Sequence, residues 1–373
     1  MKEIKRIVLS GGGTGGHIYP ALALHRSLEK KYPDLDSLYI GTEKGLEAKI
    51  VPKAGLNFAS VEIQGLKRSL SLENIRALWL MLTSTSKAKK ILKEFKPDVV
   101  VGTGGYVCAP VLLAASQLGI PTLVHEQNSV AGITNKFLSR FVDRIAICFE
   151  DAANDFSKVA DKVILTGNPR GQEVLLYSSD AQILAEQFSL DASIPTVLVF
   201  GGSRGAPAIN EAAFSAMSEW AGKPYQVIIA TGTIHYDELM TSLKEKGEQV
   251  PDNVRVVPYI DNMPAVFQAI ELVICRSGAT TLTELTALGL PSILIPSPYV
   301  TNNHQEHNAS SLVNNEAAIM IKQANLTGQV LFEQVNLVMQ QPEQLKRMQA
   351  AAKELGIPDA ADRLVAAVES IVE

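Results

Sequence analysis

The most pointed chemistry in this chain lies in Gly11-Gly12-Gly13-Thr14-Gly15-Gly16-His17. Backbone without Cβ atoms can approach a diphosphate closely, and the free N–H groups at a helix start point toward an anion. His17 sits where this loop enters the following helix. The positive end of the helix favours a neutral imidazole there, the form that can accept a proton. A second constellation is Cys275-Arg276-Ser277-Gly278-Ala279-Thr280-Thr281-Leu282-Thr283-Glu284. Ser277 can cap a helix, the amides from Gly278 to Thr281 can hold phosphate, and Glu284, within two turns, can accept from both hydroxyls of a ribose.

The elements that must position these groups alternate. Residues 7–10 read as a buried parallel strand, apolar and β-branched up to the glycines, and 18–30 read as a helix with Pro20 in its first turn. Strand patterns follow at 37–40, 58–63, 98–101 and 121–124, with helical patterns at 43–54, 72–95 and 111–118. After a short strand at 163–165, Thr166-Gly167-Asn168-Pro169-Arg170 is turn chemistry. Then the opening theme returns: an apolar strand at 196–200, the loop Gly201-Gly202-Ser203-Arg204-Gly205, and a helix at 206–220. Further strands are expected at 226–230, 254–257, 272–275 and 292–295, and a helix at 360–372. The chain therefore reads as two tandem Rossmann-type halves of the α/β class, each with a doubly wound parallel sheet and ligand loops at the strands' carboxyl ends.

Composition narrows the function. At 373 residues, 46% hydrophobic and 20% charged, the chain is an ordinary globular one long enough for two domains. A net charge of −5 argues against general nucleic-acid binding. Cys108, Cys148 and Cys275 are scattered in apolar contexts and fit a reducing compartment. No apolar run reaches transmembrane length, and the N-terminus leads straight into a strand, so no signal peptide is expected. Gly11, Gly13 and Gly16 also satisfy G-x-G-x-x-G, but a nicotinamide enzyme needs an acid closing the second strand, and Glu43 comes late.

Six motifs occur in order: Gly-Gly-Thr-Gly-Gly-His at 12–17, Gly-Gly-Tyr at 104–106, His-Glu-Gln-Asn at 125–128, Gly-Asn-Pro at 167–169, Gly-Gly-Ser at 201–203 and Ser-Gly-Ala-x-Thr at 277–281. Over nearly its whole length the chain resembles the MurG family, bacterial UDP-GlcNAc transferases that convert lipid I to lipid II in peptidoglycan synthesis. The resemblance implies a GT-B fold, two Rossmann-like domains facing a central cleft. One would span 1–166 together with a returning helix at 357–373, the other 167–356. It also implies inversion at the anomeric carbon.

By matching motif, the resemblance places UDP-GlcNAc mainly in the second half. Ser203 would meet the diphosphate, and Ile260 would present backbone to the uracil. Gly278, Ala279, Thr280, Thr281, Leu282 and Thr283 would line uridine and phosphate, with Glu284 on the ribose and His304 and Gln305 on the GlcNAc hydroxyls. From the first half, Thr14, Gly15, Gly16 and Asn128 would close over donor and acceptor, with Tyr106 and His125 on the acceptor side. Arg170 departs from the pattern of members with one more residue after the proline.

The acceptor, the 4-hydroxyl of MurNAc, must lose a proton as it attacks. His17 or Glu126 can take it, and the helix start favours His17. Departing UDP gathers negative charge that helix-start amides can stabilise. Asp34-Leu35-Asp36 spells a metal motif but stands before the second strand, at the wrong end of the sheet, so no metal or other cofactor is expected. His304, Glu306 and His307 lack a zinc spacing. Lipid I lies in a membrane. Ile75, Leu78, Trp79 and Leu82 recur at helical spacing, with Lys67 and Arg68 before them and Lys87, Lys89 and Lys90 after. Such a stripe suits either an anionic surface or a core-facing helix; the resemblance favours docking. It implies a peripheral protein at the cytoplasmic face of the cell membrane, with cell-wall synthesis and division proteins as further partners. The alternatives are a GT-B glycolipid transferase with another acceptor, an NAD-dependent dehydrogenase, which the late acid and the second glycine loop count against, and a non-catalytic sugar-nucleotide binding protein.

Overall fold

The computed structural model describes residues 3–64, 72–177, 182–202 and 204–372, and the side chains of these apart from 72–78. The chain forms two compact units. The first comprises Met1–Glu173 with Asp359–Glu373, and the second Val174–Pro358.

In the first unit the strands are β1 (Arg6–Ser10), β2 (Asp36–Gly41), β3 (Asn57–Ser60), β4 (Val99–Gly102), β5 (Thr122–Glu126), β6 (Arg144–Ile147) and β7 (Val163–Leu165). They form one parallel sheet in the order β3-β2-β1-β4-β5-β6-β7. Strand order reverses between β1 and β4, and the loops leaving those two strands meet at this switch point. Alternate residues of β1 feed two cores. Ile7 and Leu9 pack with Leu24 and Leu28 of the helix Gly15–Lys31, and Val8 packs with Leu92, Val111 and Leu112 on the other face. Burying each such aliphatic side chain contributes about 1.5–3 kcal/mol. The C-terminal helix Ala360–Glu369 returns to this unit, with Leu364, Val365 and Val368 in the same core as Ile7 and Leu9. Tyr32 donates to Glu369 at 2.5 Å, and Gln172 accepts from the Ala361 amide at 2.8 Å.

The second unit carries β8 (Thr196–Phe200), β9 (Gln226–Ala230), β10 (Val254–Val257), β11 (Leu272–Cys275), β12 (Ser292–Leu294) and β13 (Ala318–Met320). They are parallel in the order β10-β9-β8-β11-β12-β13, with the switch between β8 and β11. Val197 and Val199 pack against Ile209 of the helix Pro207–Ala216 and Leu331 and Val335 of the helix Gly328–Gln340.

Local differences from the sequence reading have simple causes. The helix read over 43–54 is confined to Glu47–Lys53, because Thr42 to Leu46 are spent in a turn. The helix read over 206–220 ends at Ala216 and tightens into a 3-10 turn, Met217–Trp220. Asp36 opens β2 rather than preceding it, and both Asp34 and Asp36 are exposed at the strand's amino end, away from the ligand loops.

Candidate active site

Each unit gathers its chemistry at its own switch point. In the first, the loop after β1 meets the loop after β4. The Gly12 amide donates to the Gly104 carbonyl at 3.2 Å, and the Thr103 hydroxyl donates to the His17 carbonyl at 2.6 Å. Gly105, at φ +85°, lets the two loops touch: a Cβ there would lie 2.5 Å from the Gly12 oxygen. Tyr39, buried on β2, donates to the Gly11 carbonyl at 2.9 Å. Thr14 is exposed at the cap position of the helix, and Gly15 and Gly16 form its first turn, half-buried.

His17 is half-buried. Its Nδ1 lies 2.8 Å from the Gly12 carbonyl oxygen. A carbonyl can only accept, so Nδ1 carries the proton, and whenever the ring is neutral Nε2 is the nitrogen that holds the lone pair. That nitrogen faces the Gly104 backbone, where a Cβ would come within 3.0 Å of it. The tautomer is the one a general base needs.

Glu126 and His125 are placed differently from His17. Glu126 is 2% exposed. One oxygen accepts from the Asn128 amide at 3.0 Å and side chain at 3.2 Å; the other accepts from the Gly132 amide at 2.9 Å and Asn135 Nδ2 at 2.7 Å. Both oxygens are committed to shaping the loop that follows β5. His125 is fully buried: Gln127 Nε2 donates to its Nδ1 at 2.8 Å, and its Nε2 donates to the Gly167 carbonyl at 3.0 Å. Burial holds its pKa down to about 4, so it is a neutral brace inside the unit and does not line a ligand surface. Tyr106 is half exposed beside the Gly104–Gly105 turn. Asn128 is half-buried. Arg170 pairs with Glu173, which also receives Arg26 Nε at 2.6 Å.

In the second unit, Gly205, at φ +76°, brings the loop after β8 against the Thr231 carbonyl, 2.0 Å from where its Cβ would be. Ser203, in this loop, lies outside the described residues. After β11, the helix Ala279–Leu288 is capped by Gly278 in extended backbone, not by Ser277. The Ser277 hydroxyl donates instead to the Gln305 carbonyl at 2.7 Å, and Asn308 Nδ2 donates to the Ser277 carbonyl at 3.2 Å. Ser277 thus ties the helix start to the helix His304–Val313, and among the described residues no side chain caps the amides of 279–281. Thr280 Oγ1 is buried there with no hydrogen-bond partner among the described residues. Thr283 turns back to the Ala279 and Thr280 carbonyls, Thr281 is half-buried, and Leu282 is fully buried. Glu284 is 8% exposed, and Ile260, 4% exposed, packs its side chain inward. His304 Nδ1 donates to the Thr301 carbonyl at 2.8 Å. Gln305 Oε1 accepts from the Ser297 amide at 2.8 Å.

The sequence reading missed Glu47, a fully buried carboxylate under the first glycine loop. Its one signal is faint: an acid just inside a helix, between Gly41 and Gly45 and the next apolar run. The helical stripe read as a docking face is only partly placed. Lys67 and Arg68 lie outside the described residues, as do the side chains of Ile75 and Leu78; Trp79 is 62% and Leu82 72% exposed. Among the described residues no group of three His, Cys, Asp or Glu side chains is placed to hold a metal ion.

This architecture has known relatives. Residues 7–147 match the glycosyltransferase family 28 N-terminal domain and residues 196–364 the family 28 C-terminal domain. The UDP-N-acetylglucosamine–N-acetylmuramyl-(pentapeptide) pyrophosphoryl-undecaprenol N-acetylglucosamine transferase of Listeria monocytogenes is 52% identical over 368 residues, covering 99% of this chain and 100% of that protein. The transferase of the same name from Halalkalibacterium halodurans is also 52% identical, with the same coverage. The crystal structure of MurG from Acinetobacter baumannii aligns with a TM-score of 0.79 at 30% identity, covering 98% of this chain and 99% of that one.

Proposed function

The chain belongs to glycosyltransferase family 28, and from that membership we propose how its own residues carry the reaction. It is an inverting, UDP-GlcNAc-dependent transferase of GT-B fold that moves GlcNAc onto the MurNAc 4-hydroxyl of lipid I, giving lipid II for peptidoglycan. The observation that carries this is 52% identity over essentially the full length of a transferase so named.

His17 is the general base. The acceptor oxygen attacks the anomeric carbon, its proton passes to His17 Nε2, and the bond from that carbon to the UDP oxygen breaks with its electron pair leaving on UDP. The support is the Nδ1 bond to Gly12, which leaves Nε2 as the accepting nitrogen. Glu126 is assigned to loop positioning, because four donors occupy its two oxygens. Thr14, Gly15, Gly16 and Asn128 contact donor and acceptor, and Tyr106 stands on the acceptor side.

The leaving diphosphate is met by the amides of 279–281 and by the Thr280 hydroxyl, a buried donor awaiting an acceptor. These dipoles carry the developing charge, so the reading includes no metal. Ser203 joins them at the diphosphate. Ile260 supplies backbone to the base, Glu284 accepts from the ribose, and His304 and Gln305 hold the sugar. Arg170 is left out of the donor contacts, because its guanidinium pairs with Glu173.

Because lipid I is a membrane lipid, the enzyme works as a peripheral protein on the cytoplasmic face of the membrane. Exposed Trp79 and Leu82, followed by exposed Lys87 and Lys90, fit an anionic surface. No described helix is long and apolar enough to cross a membrane.

The test is transfer of labelled GlcNAc from UDP-GlcNAc to a short-chain lipid I analogue, with EDTA present, by wild type and His17→Ala. Transfer that collapses in the variant while UDP still binds supports the base assignment. Transfer that survives in the variant removes it. Transfer abolished by EDTA and restored by a divalent ion overturns the metal-free reading.

A further inference from the structure

Glu47, the Gly12–Gly13 peptide and His17 stand in one hydrogen-bonded line. Glu47 Oε2 accepts from the Gly13 amide at 3.1 Å. The carbonyl of that same peptide group, that of Gly12, accepts from His17 Nδ1 at 2.8 Å. The carboxylate is fully buried, and its other oxygen accepts from the Thr42 amide at 3.0 Å and hydroxyl at 2.6 Å. Three glycines enclose it: Cβ atoms at Gly12, Gly41 and Gly45 would lie 2.5, 2.6 and 2.2 Å from Glu47 side-chain atoms.

We propose that Glu47 is a positioning residue that acts on His17 through this peptide, fixing the Nδ1–H tautomer and strengthening Nε2 as a base. The physical reason is polarisation. An anion bonded to the N–H end of a peptide draws electron density toward the carbonyl end, which becomes a better acceptor for Nδ1–H. An imidazolium gains more from that acceptor than a neutral ring does. The arrangement resembles a carboxylate–histidine pair with one peptide interposed. Glu47 is the first residue of the helix Glu47–Lys53, whose positive end supports the buried charge.

The other ionisable groups that contacts bring to this loop are Tyr39, on the Gly11 carbonyl, and Cys108, whose thiol lies against Ser10 and Gly104. Burial raises both well above neutral pH and leaves them uncharged. Glu47 is therefore the charge within this set of contacts.

The inference rests on His17 being the base, and its test reads His17 without using activity. Histidines labelled with 15N and 13C are followed by NMR across pH in wild type and Glu47→Gln, with His17→Ala assigning the signal among the six histidines. Glutamine keeps an acceptor oxygen for the Gly13 amide and removes the charge. The expected result is an Nδ1–H tautomer in wild type and a His17 titration midpoint about one pH unit lower in Glu47→Gln. The acid limb of kcat should move down in pH with it, kcat should fall on the order of tenfold, and UDP affinity should hold. An unchanged midpoint, or an Nε2–H tautomer in wild type, overturns the proposal; if Glu47→Gln does not fold, the midpoint is read in Glu47→Asp, which keeps the charge but withdraws it from the Gly13 amide, and the midpoint should fall there too. If the linkage appears but His17→Ala transfers at the full rate, the base assignment fails and the linkage stands.

Discussion

Asn135 Nδ2 donates to Glu126 Oε2 at 2.7 Å, a bond between the helix Ile133–Leu138 and the last residue of β5. With the Asn128 and Gly132 amides on the same carboxylate, it folds residues 128–135 around an acid that has no spare lone pair aimed outward. Glu126→Gln forces an NH2 group against one of these donors. The expected cost is about 1–3 kcal/mol of stability, seen as a lower Tm, with kcat reduced but the acid limb of its pH profile unmoved. An acid limb lost in Glu126→Gln would return Glu126 to the role of base.

How far the sequence speaks follows from the same residues. Parallel strands buried on both faces appear as apolar runs, so β1, β4, β8 and β11 and the glycine loops after them are legible. The roles of His125 and Glu126 are not, because a run of polar residues after a strand looks alike whether it faces ligand or is bonded inward. Burial decides between the two, and burial comes from the helix Ile133–Leu138, nine residues past Glu126 at Asn135, and from the turn at Gly167, 42 residues past His125. Ser277 reads as a cap, yet Gln305, 28 residues on, captures its hydroxyl. Glu47 is all but hidden for the same reason: its partner Gly13 lies 34 residues away.

His125 should make the fold acid-sensitive. Its pKa is about 4 in the folded protein, against an ordinary value of 6.5, because burial disfavours the cation. The unfolded chain therefore binds the proton first, and stability falls as pH drops from 6.5 toward 4, by on the order of 3 kcal/mol in total. Above 6.5 the effect is absent. Urea unfolding between pH 7 and 4.5 should fall less steeply for His125→Gln than for wild type, by roughly 2–3 kcal/mol over that range. Equal slopes would mean the ring is not held neutral.

Gly105→Ala and Gly119→Ala separate loop contact from backbone strain. Both glycines have positive φ, +85° and +68°, so either alanine carries about 1 kcal/mol of left-handed strain. At Gly119 a Cβ meets nothing within 4 Å, whereas at Gly105 it strikes the Gly12 carbonyl oxygen, whose other contact is His17. Gly105→Ala should lower Tm further and cut kcat at least tenfold. Gly119→Ala should change Tm only. Comparable kcat values in the two variants would show that the meeting of the two loops does not matter to catalysis.

Gly278→Ala asks whether a ligand comes to the start of the helix Ala279–Leu288. Its φ of −71° suits alanine, and a Cβ there meets nothing within 4 Å, so the folded protein should tolerate it with Tm unchanged. A diphosphate drawn to the amides of 279–281 must pass close to that Cβ. UDP affinity should then weaken roughly tenfold, equivalent to about 1.4 kcal/mol, by isothermal titration calorimetry. Thr280→Val, which removes a buried hydroxyl without a partner among the described residues, should weaken UDP in the same direction and leave stability equal or slightly higher. If UDP bound both variants as tightly as wild type, the diphosphate would have to lie elsewhere, and the loop Gly201–Gly205 would be the next place to probe.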